Sequence, residues 1–280
     1  MDLQYGSIEI TTKIGCPVAC SYCPQDKTTG AYKGERMMSM ETLNKCLDKI
    51  PVYTNVLGNV VPRLEFSGFC EPFANPNCAE MVLAGYNKGF TNITLYTTLK
   101  GAKMEDLEKI KHIPWAFFSL HLPDKEGMIQ VKVDDEYLKM FRFCMDNMKD
   151  VCFFAYGAIK DEVWDIIKDY DVNKIYWNTV IHSRAGNVDN VKPIERKSGH
   201  IKCGSSQGMA LNHNILLPNG DVSVCCMDFG LKNIVGNLLT DTYDSLFSSE
   251  AHNKVVAGMY VDSMDSMCRI CDYAVQNDAN

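Results

Sequence analysis

No stretch of this chain is apolar for long enough to cross a bilayer: the longest runs, Trp115–Leu120 and Val151–Ala158, fall far short of the roughly 20 residues a spanning helix needs. Positive charge is also scarce. Lys and Arg number 28 against 35 Asp and Glu, giving a net charge of −7 and a sequence pI near 5.4. No global basic surface is available to neutralise a phosphate backbone, so neither nucleic acid nor a membrane is expected as a partner. The opening MDLQYGSIEITTKIGC has neither the basic nor the apolar region of a secretory signal, which points to a cytoplasmic location. There is no internal repeat, and no low-complexity tract beyond the polar tail Gln276–Asn280. With 46% hydrophobic and 22% charged residues, disorder and collagen-like order are excluded.

Cysteine is what the chain has in excess. Thirteen thiols in a reducing compartment cannot be explained by disulfides, and metal binding or catalysis remains once a few ordinary buried thiols are set aside. The length of 280 residues is about twice a usual domain of roughly 150, so one large core with a smaller appendage is expected.

Through the first two thirds, short β-rich runs alternate with amphipathic stretches, the pattern of a parallel sheet covered by helices. Six strands are expected at Ser7–Ile14, Arg63–Ser67, Asn92–Thr97, Ala116–Leu120, Val151–Tyr156 and Lys174–Ile181. Helices are expected at Met40–Ile50, Cys78–Lys88, Met104–Lys111, Glu136–Asn147 and Asp161–Lys168, the first capped by Ser39 with Glu41 near its positive end. Six βα units fall two short of a closed eightfold barrel, so the fold class is α/β: a partial (β/α)6 TIM-like barrel with its site at the strands' C-terminal edge. From about Ser183 the pattern breaks into Gly, Asn, Ser and Lys, which sets an expected boundary between residues 1–183 and a small hairpin-and-helix domain at 184–280. There Asn214–Leu217 and Asp221–Cys225 read as a hairpin around Pro218-Asn219-Gly220, Asn-Gly suiting a type I′ turn.

Directly after the first strand, Cys16, Cys20 and Cys23 place three thiols within eight residues. Soft sulfur ligands this close suit an iron–sulfur cluster, zinc or copper(I). No fourth local Cys or His follows, the next being Cys46 in an expected helix. Structural zinc wants four closed ligands; a three-sulfur site on a four-iron cluster leaves one iron open. A zinc knuckle completed from elsewhere, or chance thiols, are the bland alternatives.

CxxxCxxC with an aromatic before the last Cys resembles the radical S-adenosylmethionine (radical SAM) family. The resemblance implies that Cys16, Cys20 and Cys23 ligate a 4Fe-4S cluster whose open iron is chelated by SAM, that reduction cleaves SAM to a 5′-deoxyadenosyl radical, and that Tyr22 lies near the adenine. Phe66-Ser67-Gly68-Phe69-Cys70-Glu71-Pro72 resembles the family's Gly-Glu-Pro segment, which holds the SAM amino group; Gly68 would permit close approach, Glu71 accept from the ammonium and Pro72 stiffen the turn. Cys70 stands where the family commonly has Gly, and a positive φ there would cost on the order of 1–2 kcal/mol. Ser119, Asn178 and Arg184 resemble polar positions contacting the SAM ribose or carboxylate; solvated loop residues are the rival reading.

In the C-terminal part stand Cys203, the neighbours Cys225 and Cys226, and the pair Cys268 and Cys271. Successive strand residues point to opposite faces, so Cys225 and Cys226 cannot readily serve one centre. One Cys, then Gly-x4-Cys on a hairpin, then a distant CxxC resembles the SPASM/Twitch extension of radical SAM enzymes. The shorter Twitch form implies one auxiliary 4Fe-4S cluster held by Cys203, Cys225, Cys268 and Cys271. Four thiolates are equally a common structural zinc set. The remaining cysteines read as core or surface thiols.

The resemblance implies an enzyme that abstracts a hydrogen atom from a small-molecule or peptide substrate, with an electron donor such as flavodoxin or ferredoxin. Oxidation of a sugar or cyclitol alcohol is favoured, the second cluster relaying an electron. A peptide-modifying maturase and a zinc-stabilised binding protein without enzymatic activity are the rivals. His121, Glu35, Arg184 and Tyr96 are candidate proton acceptors by position; no base is assigned.

Overall fold

The alternation of β-rich and amphipathic segments resolves, in a computed structural model describing residues 6–55, 58–170, 172–192, 194–205 and 211–277, into a partial barrel built around β1. In chain order the elements are β1 (Ser7–Ile10), α1 (Gln25–Ala31), α2 (Met40–Leu47), β2 (Tyr53–Thr54), β3 (Val60–Val61), β4 (Arg63–Phe66), α3 (Cys78–Asn87), β5 (Ile93–Thr97), α4 (Met104–Ile110), β6 (Trp115–His121) and α5 (Asp135–Asn147). They continue with β7 (Val151–Ala155), α6 (Asp161–Ile167), β8 (Ile175–Trp177), β9 (Ile201–Cys203), β10 (His213–Leu216), β11 (Asp221–Ser223), β12 (Ile234–Asn237), α7 (Tyr243–Leu246), α8 (Glu250–Tyr260) and β13 (Ala274–Gln276).

Six parallel strands, β1, β4, β5, β6, β7 and β8, follow in that spatial order, each joined to the next through a crossover that carries helix. This is the expected partial α/β barrel. The helices form where periodic apolar residues meet a cap. Ser39 accepts from Thr42 N at 3.0 Å at the start of α2, and Asp134 from Tyr137 N at 3.0 Å at the start of α5, each cap contributing about 1 kcal/mol. In α5, Tyr137, Met140, Phe141 and Cys144 recur at helical spacing and are buried, with the Phe141 ring 6.1 Å from Phe153 of β7.

Two differences from the sequence reading bear on the site. The C-terminal hairpin extends the barrel sheet: β10 pairs with β1 in parallel, Ser7 opposite His213, and β11 and β12 add antiparallel beyond it. The nine-stranded sheet therefore runs from the barrel through β1 into the hairpin that leads to Cys225. The hairpin turn is also not type I′. Only Gly220 has a positive φ, 86°, because Pro218 is fixed near −65° and favours a type I turn, after which a left-handed Gly closes the ladder. Gly220 N donates to Leu217 O at 3.0 Å and Leu217 N to Asp221 O at 2.8 Å. The expected strand Ser7–Ile14 ends at Ile10, and the next residues turn into the cysteine loop. Beside the sheet, β9 pairs with β13, Cys203 opposite Ala274. Among the described residues no helix is long and apolar enough to cross a membrane.

Candidate functional site

At the C-terminal ends of β1, β4, β5 and β6 lies a cleft lined by Cys16, Cys20, Tyr22, Cys23 and Arg184, with the turn Ser67–Glu71 and the side chains of Tyr96 and His121 on its walls. The loop after β1 brings the three thiols together. All are free and partly buried. Cys16 Sγ accepts from Val18 N at 3.5 Å and Glu71 N at 3.3 Å; Gln25 Nε2 donates to Cys23 Sγ at 3.5 Å and to Phe69 O at 2.5 Å, tying the loop to the β4 turn. The neighbouring Cys70 thiol, ahead of those amides, holds Cys16 below the ordinary thiol range. Burial, with Cys23 alongside, pushes Cys20 up to about 12, and burial raises Cys23. Without a metal Cys20 and Cys23 are thus protonated at neutral pH, and a ligated cation would have to displace those protons.

Among the described residues, the one further thiol in this cleft, outside the CxxxCxxC spacing, is Cys70. It lies on the cleft wall, donates to Glu71 O at 3.2 Å and is pushed up by its contact with Cys16 and by burial. Its distance along the chain from the trio conceals it, since only the pairing of β1 with β4 brings them side by side. The positive φ of the turn falls on Gly68, at 61°, and a Cβ there would collide with Thr11 Oγ1. Cys70 therefore carries no left-handed strain.

Glu71 differs from expectation in its role. Thr97 Oγ1 at 2.5 Å and Phe73 N at 3.4 Å donate to one carboxylate oxygen, and Thr98 N at 2.7 Å and Thr98 Oγ1 at 2.8 Å to the other. With two donors on each oxygen, Glu71 clamps the turn to the end of β5 and has no oxygen left for an incoming ammonium. Pro72 opens a short 3-10 turn for which Glu71 is the N-cap, and Thr12 Oγ1 donates to Pro72 O at 2.9 Å.

Arg184 does reach the cleft. Its guanidinium lies 5.9 Å over the Tyr22 ring and 5.5 Å over Phe229, and Tyr22 stacks on Tyr156 at 4.0 Å. Burial works against its charge, but the Cys23 sulfur and the tyrosines raise its pKa further. No carboxylate pairs with it among the described residues. Next to it, burial and the Arg184 charge hold His121 down at about 4; the imidazole is neutral, and its Nε2 has no hydrogen-bond partner. Tyr96 stands 6.0 Å from that ring. Of the other expected residues, Ser119 is fully buried in β6 and Asn178, just past β8, donates to Tyr176 O at 3.4 Å. Neither lines the cleft: Ser119 shares a face of β6 with His121 but lies two residues back from the strand's C-terminal end, so His121 is the one that reaches the rim. Glu35 is exposed and away from it.

A second pocket gathers Cys203, Cys225, Cys268 and Cys271 with Met267 and Tyr273. Burial pushes Cys268 up to about 12 and raises Cys271 and Cys225. Cys225 lies near the Cys268 and Cys271 sulfurs. Cys226 also borders this pocket, but its ligand atom groups with Glu9 and His213. Arg269, completely buried beside the pair, donates to Lys197 O and Gly199 O at 2.9 and 3.1 Å and pairs with Asp262 at 2.8 Å, fixing the CxxC turn.

The match that bears on this pocket spans residues 208–272, against the family described as SPASM, an iron–sulfur cluster-binding domain. This segment is similar to a SPASM domain. Three solved structures share the fold of nearly the whole chain. BtrN in complex with AdoMet (SAM) and 2-DOIA is 13% identical, TM-score 0.63, over 99% of this chain and 95% of that one. SuiB of Streptococcus suis bound to precursor peptide SuiA is 12% identical, TM-score 0.62, over 95% and 69%. AnSMEcpe with bound AdoMet is 12% identical, TM-score 0.58, over 95% and 86%. No curated protein matches the sequence. The likeness drawn from the two cysteine patterns is therefore matched by the fold of the chain and by the similarity of residues 208–272 to the SPASM family.

Proposed function

We propose that this is a radical SAM enzyme that removes a hydrogen atom from a substrate in the barrel cleft and hands an electron to a centre in its SPASM domain. One observation carries the reading: three thiols and a buried Arg184, without a carboxylate partner among the described residues, line the same cleft. Three thiolates fit three corners of a four-iron cluster, and a buried cation beside them fits the carboxylate of a ligand at the fourth. When bound, the cluster and SAM supply one-electron cleavage of the sulfonium to a carbon radical. Cys16, Cys20 and Cys23 would hold the iron, and the Val18, Glu71 and Gln25 donors to their sulfurs would favour the reduced state. Tyr22 and Gly68 would border the SAM adenine and amino group, with Glu71 and Pro72 fixing the turn. Ser119 and Asn178 would act on SAM only through the strand ends they occupy.

Cys203, Cys225, Cys268 and Cys271 are a full thiolate set without an open corner, suited to taking up an electron rather than chelating substrate. Oxidation of a sugar or cyclitol alcohol follows most simply. The polar wall of Ser67, Tyr96 and neutral His121 offers hydroxyl partners, and the similar BtrN complex contains 2-DOIA. A peptide substrate is favoured instead by the exposed Tyr176 and Trp177 on the outermost barrel strand, and SuiB was seen with a precursor peptide. A flavodoxin- or ferredoxin-like donor would supply the reducing electron.

Anaerobic iron and zinc analysis tests the reading. About eight irons per chain, four for each cluster, are expected; zinc without iron would end the enzymatic account. Replacing Cys16, Cys20 and Cys23 with Ala should abolish 5′-deoxyadenosine formation from SAM with dithionite, and undiminished formation would refute the assignment. Losing Cys268 and Cys271 should spare SAM cleavage and stop substrate oxidation.

A further inference from the structure

We propose that Glu9, His213 and Cys226 form a third metal site, for a single divalent ion such as zinc, separate from both cysteine sets. Their ligand atoms lie within 4.8 Å of one another. They come from β1, from β10 and from the turn after β11; the hairpin that carries His213 and Cys226 is distant in the chain from Glu9 and meets it only because β10 pairs with β1.

Two features set this group apart from an ordinary buried ion pair. His213 Nε2 is 2.7 Å from Glu9 Oε1, yet the contact lies off the direction of the ring N–H, so the two are held as a close ionic contact and not as a well-aligned hydrogen bond. Glu9 is meanwhile oriented from behind: Ser67 Oγ at 2.7 Å and Gly68 N at 3.0 Å both donate to its other oxygen, leaving Oε1 facing the imidazole and the thiol. An outer partner that fixes a ligating carboxylate is what a metal site requires. Glu65 Oε1 is 3.8 Å from the same nitrogen but is held by Arg63 Nε at 2.8 Å and Nη2 at 2.6 Å, which makes it a neighbour and not a ligand.

The donor set of one sulfur, one nitrogen and one oxygen suits a borderline ion, zinc before magnesium or calcium. Binding forms the Zn–S, Zn–N and Zn–O bonds and releases the Cys226 thiol proton, with any imidazolium proton, to solvent; no electron moves. Glu9, Glu65 and the Cys226 thiolate then balance Arg63 and the dication. The ion would pin the C-terminal hairpin to the first barrel strand, between the Ser67–Gly68 wall of the cleft and the pocket that His213 and Cys226 border.

The test uses the anaerobically reconstituted chain, equilibrated with Zn2+, passed through gel filtration and analysed for zinc and iron. Wild type should retain about one zinc per chain with its iron unchanged. At the same free zinc, His213→Ala, and Glu9→Gln should that variant fail to fold, should retain at least about tenfold less, again with iron unchanged. Co2+ in place of zinc should give a sulfur-to-metal charge-transfer band that Cys226→Ser loses. Equal zinc in wild type and variants, zinc gained only as iron is lost, or a cobalt band that survives in Cys226→Ser would overturn the proposal.

Discussion

Replacing Glu71 separates a clamp from a ligand. Its carboxylate is buried and takes four donors, two of them backbone N–H groups, of Phe73 and Thr98, that cannot turn elsewhere. In Glu71→Ala both amides lose their acceptor, and each orphaned buried donor costs about 1–3 kcal/mol; the two threonine hydroxyls can rotate and add less. A loss of about 3–5 kcal/mol is expected. In Glu71→Gln one oxygen survives, but the new NH2 must face one of the same N–H groups, so the loss should be about 1–3 kcal/mol. Anaerobic urea unfolding of the two variants beside wild type, paired with equilibrium SAM binding to the reconstituted chain, reads both quantities. The reasoning predicts a graded loss of stability, with SAM affinity in the Gln variant within about tenfold of wild type. If Glu71→Ala unfolds with wild-type midpoint and slope while SAM binding disappears, the carboxylate serves the ligand and the clamp argument is wrong.

The same geometry makes further predictions. Cys70→Ala should keep the iron content of the first cluster and its SAM cleavage, because Cys70 Sγ is engaged with Glu71 O and adjoins Cys16 rather than standing as a fourth corner; loss of four irons in that variant would make Cys70 a ligand. For the zinc-free chain, stability should depend on pH through Glu9 and His213. Burial lowers the His213 pKa, but the Glu9 contact outweighs it and the net shift is upward. Burial raises Glu9, but His213, Ser67 and Gly68 outweigh it and the net shift is downward. The His213 contribution is complete below its unfolded value of 6.5 and is lost as pH rises through the raised one. That of Glu9 is complete above 4.5 and is lost as pH falls through the lowered one. The pair, with Arg63, Glu65 and Tyr96 around it, therefore stabilises most fully between 4.5 and 6.5. Urea midpoints should fall between pH about 6 and about 9 in wild type more than in His213→Ala; parallel slopes would contradict the pairing.

The six barrel strands and five of the helices were legible because their signals are local: apolar period, β-branched runs, and caps such as Ser39. The trio Cys16, Cys20 and Cys23 was legible for the same reason. What escaped depends on contacts between distant segments. Helix α1, with the sequence QDKTTGA, has no apolar stripe and is held in part by Thr28 Oγ1 donating to Phe229 O at 3.0 Å. The parallel pairing of β10 with β1 leaves no trace in either strand alone, so the joining of the hairpin to the barrel sheet was not visible. Glu71 looked like a ligand because its partners, Thr97 at the end of the next strand and Thr98 just past it, are distant in the chain. Glu9 and His213 are single polar residues in short strands, unremarkable until the sheet sets them 2.7 Å apart. Pro218 was visible, and its fixed φ should have ruled out the type I′ turn that Asn219-Gly220 suggested.

The account rests on a cluster at Cys16, Cys20 and Cys23 with one iron open to SAM. The direct test is electron paramagnetic resonance of the reduced chain carrying Ala at Cys203, Cys225, Cys268 and Cys271, recorded with and without SAM. A single four-iron signal that shifts on adding SAM, with hyperfine coupling to labelled SAM nitrogen, is the predicted result. A four-iron signal that SAM leaves unchanged, as when all four corners are held by protein sulfur, would contradict it.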